Sequence, residues 1–462
     1  MWLLWWNIMC DLRNAFRDTR TFMWFCTCVA AMMIRIDTAG VTSLIRALGL
    51  RGTYYDRMLD FFHSTAVDRD LLARLWGKCV LGFGMSHTIN GRVLIIGDGI
   101  KAPKEGKCMP GVKSLHQESE SNSKPEFIMG HSCQVVALCA SASSGFFAIP
   151  LIARIHEGIV LSNRDKRTLI DKMALMIDSL NIAVPFYFVG DAYYAGRKMI
   201  VAMLLKGNHL VTRVRSNSVA YEGVEIIKIR ARGRPKIYGL KVYLRNVFSE
   251  DIASFHTAIA PDGHDILLYS RDLIWKSAAH PVRFVFVIHP VHGKTIFMTT
   301  DLTMTAAQVL EAYSLRFRIE LSFRQAIHVI GSYAYHFWMM NMDPISRGSG
   351  NQYLHKKSID YRNAVLRKMS AYHLHLQVGV IAQGILQYIA SSASDLVWSN
   401  FHSWIRTIRP GIAPSEAVTA TALRNSFPQF LADSQIAPIF TKFIIDKTDL
   451  NVFNHLQRRN YG

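Results

Sequence analysis

Residues 301–330 read DLTMTAAQVLEAYSLRFRIELSFRQAIHVI, a run that predicts one long helix. Thr303 or Thr305 can cap it, because good helix formers follow without Gly or Pro until Gly331. Apolar side chains lie nearly all round it, which is typical of a helix buried in a domain core. Three polar side chains fall within roughly 60° of each other at about 100° per residue: Tyr313, Arg316 and Glu320. An internal Arg–Glu pair would be enough to explain them, since burying unpaired charge is unfavourable.

The spacing Tyr-x2-Arg-x3-Glu resembles the signature of prokaryotic insertion-sequence transposases of the DDE class, in the group named for a Tyr-Arg-Glu-Lys box. The residues around it extend the resemblance: Thr300, Asp301 and Leu302 precede the helix, and Ile319, Phe323 and Arg324 surround Glu320. The resemblance implies a ribonuclease H-like domain in which Glu320 is the third catalytic carboxylate. Its motif residues are concentrated at 92–101, 185–197 and 300–324.

The chain departs from this signature at one position. The expected Lys, seven residues after Glu320, is Ile327 here. Arg324 and His328 flank that position and lie within about 80° of it on a helical wheel. We expect Arg324 to supply the missing cation, because it falls roughly 40° from Glu320. His328 is charged only part of the time near neutral pH.

Composition and charge narrow the class of protein. Of 462 residues, 53 are Lys or Arg and 34 are Asp or Glu, which gives a formal charge of +19 and suits a polyanionic partner such as DNA or an anionic membrane surface. Half of the residues are hydrophobic, so wholesale disorder is excluded. The apolar runs at 1–6 and 21–34 are shorter than the ~20 residues that a transmembrane helix needs. These features predict a cytoplasmic, nucleoid-associated protein without a membrane partner.

The cysteines predict neither a disulfide framework nor a zinc site. Seven is an odd number, and no Cys-x2-Cys pair occurs. Buried thiols in a reducing compartment are expected instead. The 18 histidines contain no metal-binding motif, and none is assigned to a metal.

Residues 1–88 predict a helical domain that binds DNA ends, with breaks near 37–40 and 49–52. The segment VTSLIRALGLRGTYYDRMLDFFHS (41–64) has the outline of a helix-turn-helix. Three residues near the start of its second helix are candidate DNA contacts: Arg51, Thr53 and Arg57. The pattern is not specific, since any pair of helices joined by a short turn looks similar.

Residues 89–208 predict the first part of a ribonuclease H-like α/β core. Residues 99–124 are polar and predict a loop. The order strand, strand, strand, helix, strand, helix is typical of α/β folds. The strands are VLIIGD (93–98), 131–140, 146–155 and PFYFVGD (185–191), and the helices are 164–180 and 195–205.

Residues 209–300 predict an inserted β-strand subdomain, which the resembling family carries at the same place. Residues 301–340 complete the catalytic core, and residues 341–462 predict a C-terminal helical region. The inserted strands are 209–215, 236–248, 265–275, 283–290 and 295–301; the C-terminal region has a loop at 341–358 and helices at 361–390, 398–409 and 414–432.

Acidic residues at strand ends suggest metal-dependent phosphoryl transfer, since Mg²⁺ prefers carboxylate oxygens and two ions can activate the attacking and leaving oxygens. Asp98 and Asp191 each follow an apolar strand and a Gly, although most such aspartates are turn residues or helix caps. Asp301 has an equally good context, so the pattern alone leaves both it and Asp191 open. By resemblance, Asp98, Asp191 and Glu320 are the catalytic and metal-binding residues, with two Mg²⁺ ions for which Mn²⁺ would substitute.

Basic residues supply candidate phosphate contacts. By resemblance, Tyr313 and Arg316 grip phosphates at the transposon end, and a guanidinium fork suits that role. Arg232, Arg234 and Lys236 resemble an AT-hook core that would enter a minor groove, although a solvated basic turn is an equal alternative. Lys101, Lys104 and Lys107 form either a further cationic rim or a solvated loop.

These features predict a transposase that binds double-stranded DNA at terminal inverted repeats, cleaves it and joins the ends to target DNA. The family works as a synaptic homodimer, and that analogy alone predicts a dimer here. Two other classes stay open: a catalytically inactive DNA-binding relative, and a structure-selective nuclease on the ribonuclease H fold.

Overall fold

The computed structural model describes residues 1–117, 125–142, 145–224, 236–276, 278, 280–404, 406–409, 411–433 and 435–449. Two of the candidate minor-groove residues, Arg232 and Arg234, lie outside these ranges. All seven cysteines lie within them and are free thiols.

The N-terminal region is helical, as predicted, and breaks at the expected places. Its helices are α1 (Trp2–Asp11), α2 (Thr19–Ile34), α3 (Gly40–Ala47), α4 (Tyr55–Phe62) and α5 (Arg69–Gly82). Helix α2 is buried along nearly its whole length and packs against the long helix at 359–392. The ring of Trp2 stacks on Phe430 with centroids 4.7 Å apart. The N-terminal helices therefore share one hydrophobic core with the C-terminal part of the chain.

A large mixed sheet forms the centre of the described structure. Its strands are β1 (Thr88–Ile89), β2 (Arg92–Pro103), β3 (Lys113–His116), β4 (Phe127–Ala142), β5 (Gly145–Ile155), β7 (Phe186–Gly190), β8 (His209–Val214), β9 (Val219–Tyr221), β10 (Lys241–Tyr243), β11 (His256–Ile259), β12 (Asp265–Trp275), β13 (His280–His289) and β14 (Gly293–Thr299). A second, two-stranded parallel sheet pairs β6 (Ile159–Val160) with β15 (Gln352–Tyr353).

Five strands of the large sheet are consistent with the predicted ribonuclease H-like core. Strands β2, β7 and β8 are parallel neighbours at the centre. Strand β4 pairs antiparallel with β2, and β5 pairs antiparallel with β4. Gly190 at the end of β7 pairs with Thr212 of β8, so Asp191, which follows β7, lies level with Arg213 of β8.

The strand-rich segment 209–300 continues this sheet, so the expectation of a separate subdomain is not confirmed. Strand β8 pairs with β7 on one side and with β14 on the other, and β13 and β12 follow. The long strand predicted at 236–248 is wrong. Only Lys241–Tyr243 is a strand there, followed by a turn and the short helix α8 (Val247–Glu250). Its β-branched and aromatic residues favour a strand locally, but tertiary packing buries Leu244 and Val247 instead.

Strand β2 is longer than predicted, because its pairing with β4 continues past Asp98 to Pro103↔Gly130. The loop expected at 99–124 therefore begins as a strand, and β3 adds a further short strand within it. Pairing of β2 with β7, in contrast, stops at Ile96↔Val189. One side of β2 is thus open at Asp98, although the strand itself does not end there.

The remaining helices cover the sheet and include the predicted long C-terminal helix. They are α6 (Leu169–Ser179), α7 (Arg197–Leu204), α9 (Ala306–Ser314), α10 (Arg318–Gln325), α11 (Ile359–Ser392), α12 (Ser394–Asn400), α13 (Glu416–Ala432) and α14 (Pro438–Ile445). The predicted start of α6 at 164 is wrong, because Thr168 caps the helix. The helix predicted at 398–409 is also wrong: α12 covers Ser394–Asn400, and the described residues from 401 to 409 are not helical. None of the described helices combines the length and hydropathy needed to cross a membrane.

Helix α11 is the main packing partner of the sheet and lies against β5. Gly384 allows the close approach of Trp76, because a Cβ at this position would lie 2.3 Å from the Trp76 ring. Trp76 Nε1 donates to the carbonyl of Pro150 on β5 at 2.9 Å. These contacts pack α5 and α11 together against β5.

The predicted signature helix is segmented. Thr305 caps α9, a 3-10 turn covers Leu315–Phe317, and α10 continues into a π turn at Ala326–Ile330. Gly331 ends it with φ 67°, a left-handed conformation that favours Gly. The expectation of full burial is wrong for the second half, where Phe317, Leu321 and Ile327 are exposed.

Candidate active site

Asp98 lies on β2 at the level where β7 has ended. Its Oδ1 accepts a hydrogen bond from the backbone N–H of Gly99 at 2.7 Å, and its Oδ2 accepts one from Arg316 Nη1 at 2.7 Å. The strand backbone on one side and the guanidinium on the other therefore fix the direction of this carboxylate.

Asp191 follows β7 directly, as predicted. Its side chain accepts a hydrogen bond from the N–H of Tyr193 at 3.1 Å and caps the turn at Ala192–Tyr194. Its carbonyl oxygen accepts a hydrogen bond from Thr212 Oγ1 of β8 at 2.7 Å. These two contacts hold Asp191 at the edge of the sheet next to Asp98.

The glycine before each acid makes room for an aromatic ring of the protein itself. A Cβ on Gly97 would lie 2.4 Å from the Phe188 ring, and one on Gly190 would lie 2.7 Å from the Tyr194 ring. In the structure these glycines let the core pack tightly beneath the two carboxylates.

Arg316 joins the signature helix to the sheet. Its Nη1 donates to Asp98 Oδ2, and its Nη2 donates to Glu320 Oε1 at 2.8 Å. The guanidinium also lies 5.8 Å from the ring centroid of Tyr313, so the three signature residues share one face, as predicted. The simple Arg–Glu pair is present, but it is part of a three-residue contact that includes Asp98.

The pKa of Asp98 depends on its burial and on the charged groups around it. Burial is the main cause that raises the pKa of Asp98 to about 6, and the charges of Asp191 and Glu320 raise it further. Arg316 and the Gly99 N–H lower it, but not enough to offset burial. Burial lowers the pKa of Arg316, yet Asp98 and Glu320 outweigh it and the net shift is upward. The three carboxylates therefore act on one another and gain from a nearby cation.

The three carboxylates fit a divalent metal by their chemistry. Mg²⁺ prefers hard oxygen ligands, and mutual repulsion of the carboxylates is relieved by positive charge. Asp98 and Glu320 are already bridged by a cationic group, Arg316, which shows that this position attracts positive charge. Asp98, Asp191 and Glu320 are the residues that would hold the metal, and their ligand oxygens would have to move closer, because they do not all lie within 4.8 Å of one another.

One comparison with known proteins agrees with this chemistry. Residues 157–329 match the family model described as "Transposase DDE domain". The match covers less than half of the chain; it includes Asp191 and Glu320 and excludes Asp98. It supports an enzyme that acts on DNA as a transposase.

The other comparisons add little. No curated protein matches the sequence. The chain is similar to a cryo-EM structure described as a piggyBac transposase synaptic complex with hairpin DNA, with a TM-score of 0.38 and 11% identity, over 96% of this chain and 77% of that chain. A similarity at this level supports no conclusion about the present chain.

Asp301, the alternative second acid, lies at the opposite edge of the sheet. Strand β14 runs antiparallel to β8, so the residue after its end is close to the start of β7 and β8. Asp301 is buried and accepts hydrogen bonds from Tyr187 Oη at 2.6 Å and from Thr303 Oγ1 at 2.7 Å. Burial opposes ionisation, but these hydrogen bonds leave the pKa of Asp301 lowered. Asp301 is therefore an ionised structural residue before α9.

The residues around the missing box Lys are exposed. Arg324 has no hydrogen bond or ion pair within the described ranges, and it lies on the regular α10, where the expected angle to Glu320 holds. Ile327 and His328 belong to the π turn. The count of about 100° per residue, which placed them near Arg324, therefore does not apply to them.

The other predicted DNA contacts lie apart from the carboxylates. Arg57 is exposed in the first turn of α4, and Thr53 is exposed in the 3-10 turn Gly52–Tyr54 before it. Arg51 donates to the carbonyl of Asp446 at 2.5 Å. Lys236 is exposed at the edge of the described residues. The predicted cationic rim is wrong for Lys104, which is buried and donates to the carbonyls of Tyr333 and Tyr335.

A cavity of about 440 Å³ beside the carboxylates includes a residue that the sequence analysis missed. Arg213 is exposed at the end of β8, one residue after Thr212, and lines the cavity together with Tyr313 and Arg316. Its charge is close enough to lower the pKa of Tyr313, although burial of the phenol is the larger effect and raises that pKa. Arg213 lies inside the predicted strand 209–215, so no local signal in the sequence marked it as a site residue.

The cavity also reaches the cluster Asp262, His264 and His289, the one group of metal-ligand types that the described residues bring within 4.8 Å. His289 Nδ1 accepts hydrogen bonds from the N–H groups of Val291 and His292, so its proton is on Nε2, which donates to Asp262 Oδ2 at 3.0 Å. A metal on Nε2 would require the proton on Nδ1, facing both donors. The cluster is therefore hydrogen-bonded as it stands, and it could hold a metal only if His289 lost these contacts.

Proposed function

We propose that this protein is a DDE transposase that binds the terminal inverted repeats of its own mobile element, cleaves DNA at the ends and joins them to target DNA. One observation carries the proposal: Asp98 and Glu320 share the Arg316 guanidinium, and Asp191 lies near enough to raise the pKa of Asp98. Three carboxylates from two adjacent strands and a helix, next to exposed basic residues, suit phosphoryl transfer. The family match over 157–329 supports the same class of enzyme.

The residues divide the work by their chemistry. Asp98, Asp191 and Glu320 would hold two Mg²⁺ ions, with Mn²⁺ as a substitute. Bound metal would supply an activated water or 3′-hydroxyl and stabilise the leaving oxygen. Asp191 is oriented by the Tyr193 N–H, and Asp98 by the Gly99 N–H. The guanidinium of Arg316 and the phenol of Tyr313 would bind the phosphates of the cleaved strand.

The partners follow from the same chemistry. The formal charge of +19 suits double-stranded DNA, both as element ends and as target, in a nucleoid-associated cytoplasmic protein. Two such proteins would hold the two ends as a homodimer in a synaptic complex. Arg51, Thr53 and Arg57 would recognise the repeats, and Lys236 with Arg232 and Arg234 would add contacts to the backbone or minor groove.

The first test is cleavage of end DNA by amide variants. Asp98→Asn, Asp191→Asn and Glu320→Gln should abolish Mg²⁺-dependent cleavage and leave end binding largely intact, because each removes a metal ligand without a change of shape. Glu311→Gln is the matched control, since Glu311 lies on the same helical region but pairs with His87 at 3.0 Å. If the wild-type protein bound ends yet cut none, it would be an inactive relative.

The second test separates a transposase from a nuclease. Affinity for end DNA should fall steeply with salt, since each neutralised phosphate releases counterions. Cleavage should require inverted repeats that flank the reading frame. Equal cleavage of duplexes with and without those repeats would assign the fold to a structure-selective nuclease.

A further inference from the structure

Arg316 bonds to two of the carboxylates that would hold metal. Its side chain is 19% exposed, Asp98 is 20% exposed and Glu320 is 42% exposed, so the contact is partly shielded from water. Both hydrogen bonds join charged groups and are short, at 2.7 and 2.8 Å. Such bonds are roughly twice as strong as those between neutral groups. The bridge is therefore a strong interaction. Any other cation that binds these oxygens must either displace Arg316 or bind close to its positive charge.

Arg316 occupies one oxygen of each carboxylate, Asp98 Oδ2 and Glu320 Oε1. Asp98 Oδ1 already accepts the Gly99 N–H, and Oδ2 accepts Arg316 Nη1. A divalent ion binds an oxygen at about 2.0–2.1 Å. An ion on Oδ2 would thus lie within a few ångströms of the guanidinium, where like charges repel strongly because screening is reduced.

We propose that Arg316 and the divalent metal compete for Asp98 and Glu320, so that metal binding releases the guanidinium for a DNA phosphate. This inference rests on the proposed function and adds a sequence of events to it: metal binds first, and Arg316 then becomes available to DNA. A free protein keeps its acidic site neutralised by its own arginine. A loaded protein turns the same arginine into a phosphate ligand.

The released guanidinium has a place to act. Arg316 lines the cavity of about 440 Å³ that also contains Arg213 and Tyr313. The one carboxylate among the described residues that line the cavity, Asp262, is paired with His289. The guanidinium groups of Arg213 and Arg316 would repel each other there, and a phosphate between them would relieve the repulsion. Metal and DNA would therefore strengthen each other's binding, and by linkage the factor must be the same in both directions.

The experiment measures metal affinity without DNA. Mn²⁺ is titrated calorimetrically into the 462-residue protein at pH 8, where Asp98 with its pKa of about 6 is ionised. Arg316→Gln should bind Mn²⁺ about tenfold more tightly than wild type, because the competing charge is gone. Arg316→Lys should fall between them, since one ammonium cannot bridge both carboxylates as the fork does. Arg318→Gln, two residues away on the same helix, is the matched control and should stay within about twofold.

A purely structural bridge gives the opposite result. Without Arg316, Asp98 and Glu320 would repel each other and separate, and Mn²⁺ affinity in Arg316→Gln would be unchanged or weaker. That outcome overturns the competition and leaves the proposed function standing. Absence of Mn²⁺ binding in both wild type and variant would overturn the proposed function itself. As a second readout, Ca²⁺ should tighten wild-type binding of end duplex several-fold and should have no such effect in Arg316→Gln.

Discussion

Tyr187 donates its hydroxyl to Asp301 at 2.6 Å, across the edge of the sheet where β7 begins. The other end of the same strand leads to Asp191. One strand therefore separates two aspartates that are indistinguishable in the sequence, because each follows a short apolar strand. The direction of each strand depends on pairing between distant segments of the chain. That direction decides which of the two aspartates lies at the carboxylate site.

The first prediction contrasts these two residues. Asp301→Asn should lower the free energy of unfolding by about 1–3 kcal/mol, since it weakens buried hydrogen bonds to Tyr187 and Thr303. It should still cleave end DNA. Asp191→Asn should cleave none and unfold near the wild-type temperature. Thermal unfolding and a cleavage assay on both variants decide the matter. The reverse pattern would show that the second acid is Asp301.

The second prediction concerns pH and stability. The pKa of Asp98 is raised from 3.8 to about 6 on folding, so its contribution to stability is complete below pH 3.8 and is lost as pH rises through 6. The Asp98→Asn variant does not lose stability in this way, because an amide does not ionise. It should be more stable than wild type at pH 8, by about 3 kcal/mol at most, and nearly equal to wild type at pH 4.

The measurement is unfolding of both proteins at the two pH values. Asp301→Asn is the control, and its effect on stability should depend on pH in the opposite direction. The pKa of Asp301 is lowered on folding, so the stability that Asp301 contributes is lost as pH falls. A larger advantage of Asp98→Asn at pH 4 than at pH 8 would contradict the assignment of Asp98 as a buried, ionised carboxylate.

Much of the site could be predicted because its signals are local. The face shared by Tyr313, Arg316 and Glu320 follows from helical spacing, and the aspartate after β7 follows from an apolar run. The extension of β2 past Asp98 could not be predicted, since it depends on pairing with β4. Arg213 was missed for a similar reason: only the parallel pairing of β7 and β8 places it beside Asp191.

The boundaries of the domains were harder to predict than the helices and strands within them. The strand pattern of 209–300 identifies β8, β12, β13 and β14, but pattern alone does not show that they extend the central sheet. The N-terminal helices were expected as a separate DNA-binding domain, and burial of α2 against α11 and α13 depends on contacts across the whole chain. Removal of residues 1–88 would expose this core, so point substitutions are the better test of DNA recognition.

The third prediction applies such substitutions. Arg57→Ala and Thr53→Ala should lower the preference for terminal repeats over random duplex several-fold, because Arg57 is exposed in the first turn of α4 and Thr53 in the turn before it. Arg74→Ala, which removes an exposed charge from α5, is the matched control and should leave the preference unchanged. Affinities for both duplexes are measured at two salt concentrations. Equal preference in all four proteins would place recognition outside the predicted helix-turn-helix.

The last prediction asks which cation replaces the box Lys at Ile327. Arg324 is exposed, lies on the Glu320 side of α10 and has no partner within the described ranges, so it is available for a phosphate. Arg213 approaches from β8 and lines the same cavity as Arg316. A hydrogen bond to a charged group contributes about 1.5–3 kcal/mol, so loss of the true contact should slow end cleavage roughly 10- to 100-fold.

Cleavage rates of five variants separate the possibilities: Arg213→Ala, Arg324→Ala, Ile327→Lys, and Ile327→Lys combined with each alanine. We expect Arg324→Ala to be severely impaired and Ile327→Lys to restore it in part, because a Lys near the same phosphate supplies the charge that was removed. If Ile327→Lys instead restores only Arg213→Ala, the contact comes from β8. If Ile327→Lys alone raises the rate greatly and neither alanine effect changes, no residue has replaced the Lys. The native protein would then be a slow enzyme that lacks one phosphate contact. If another cation already made that contact, the added Lys would have little effect on the rate.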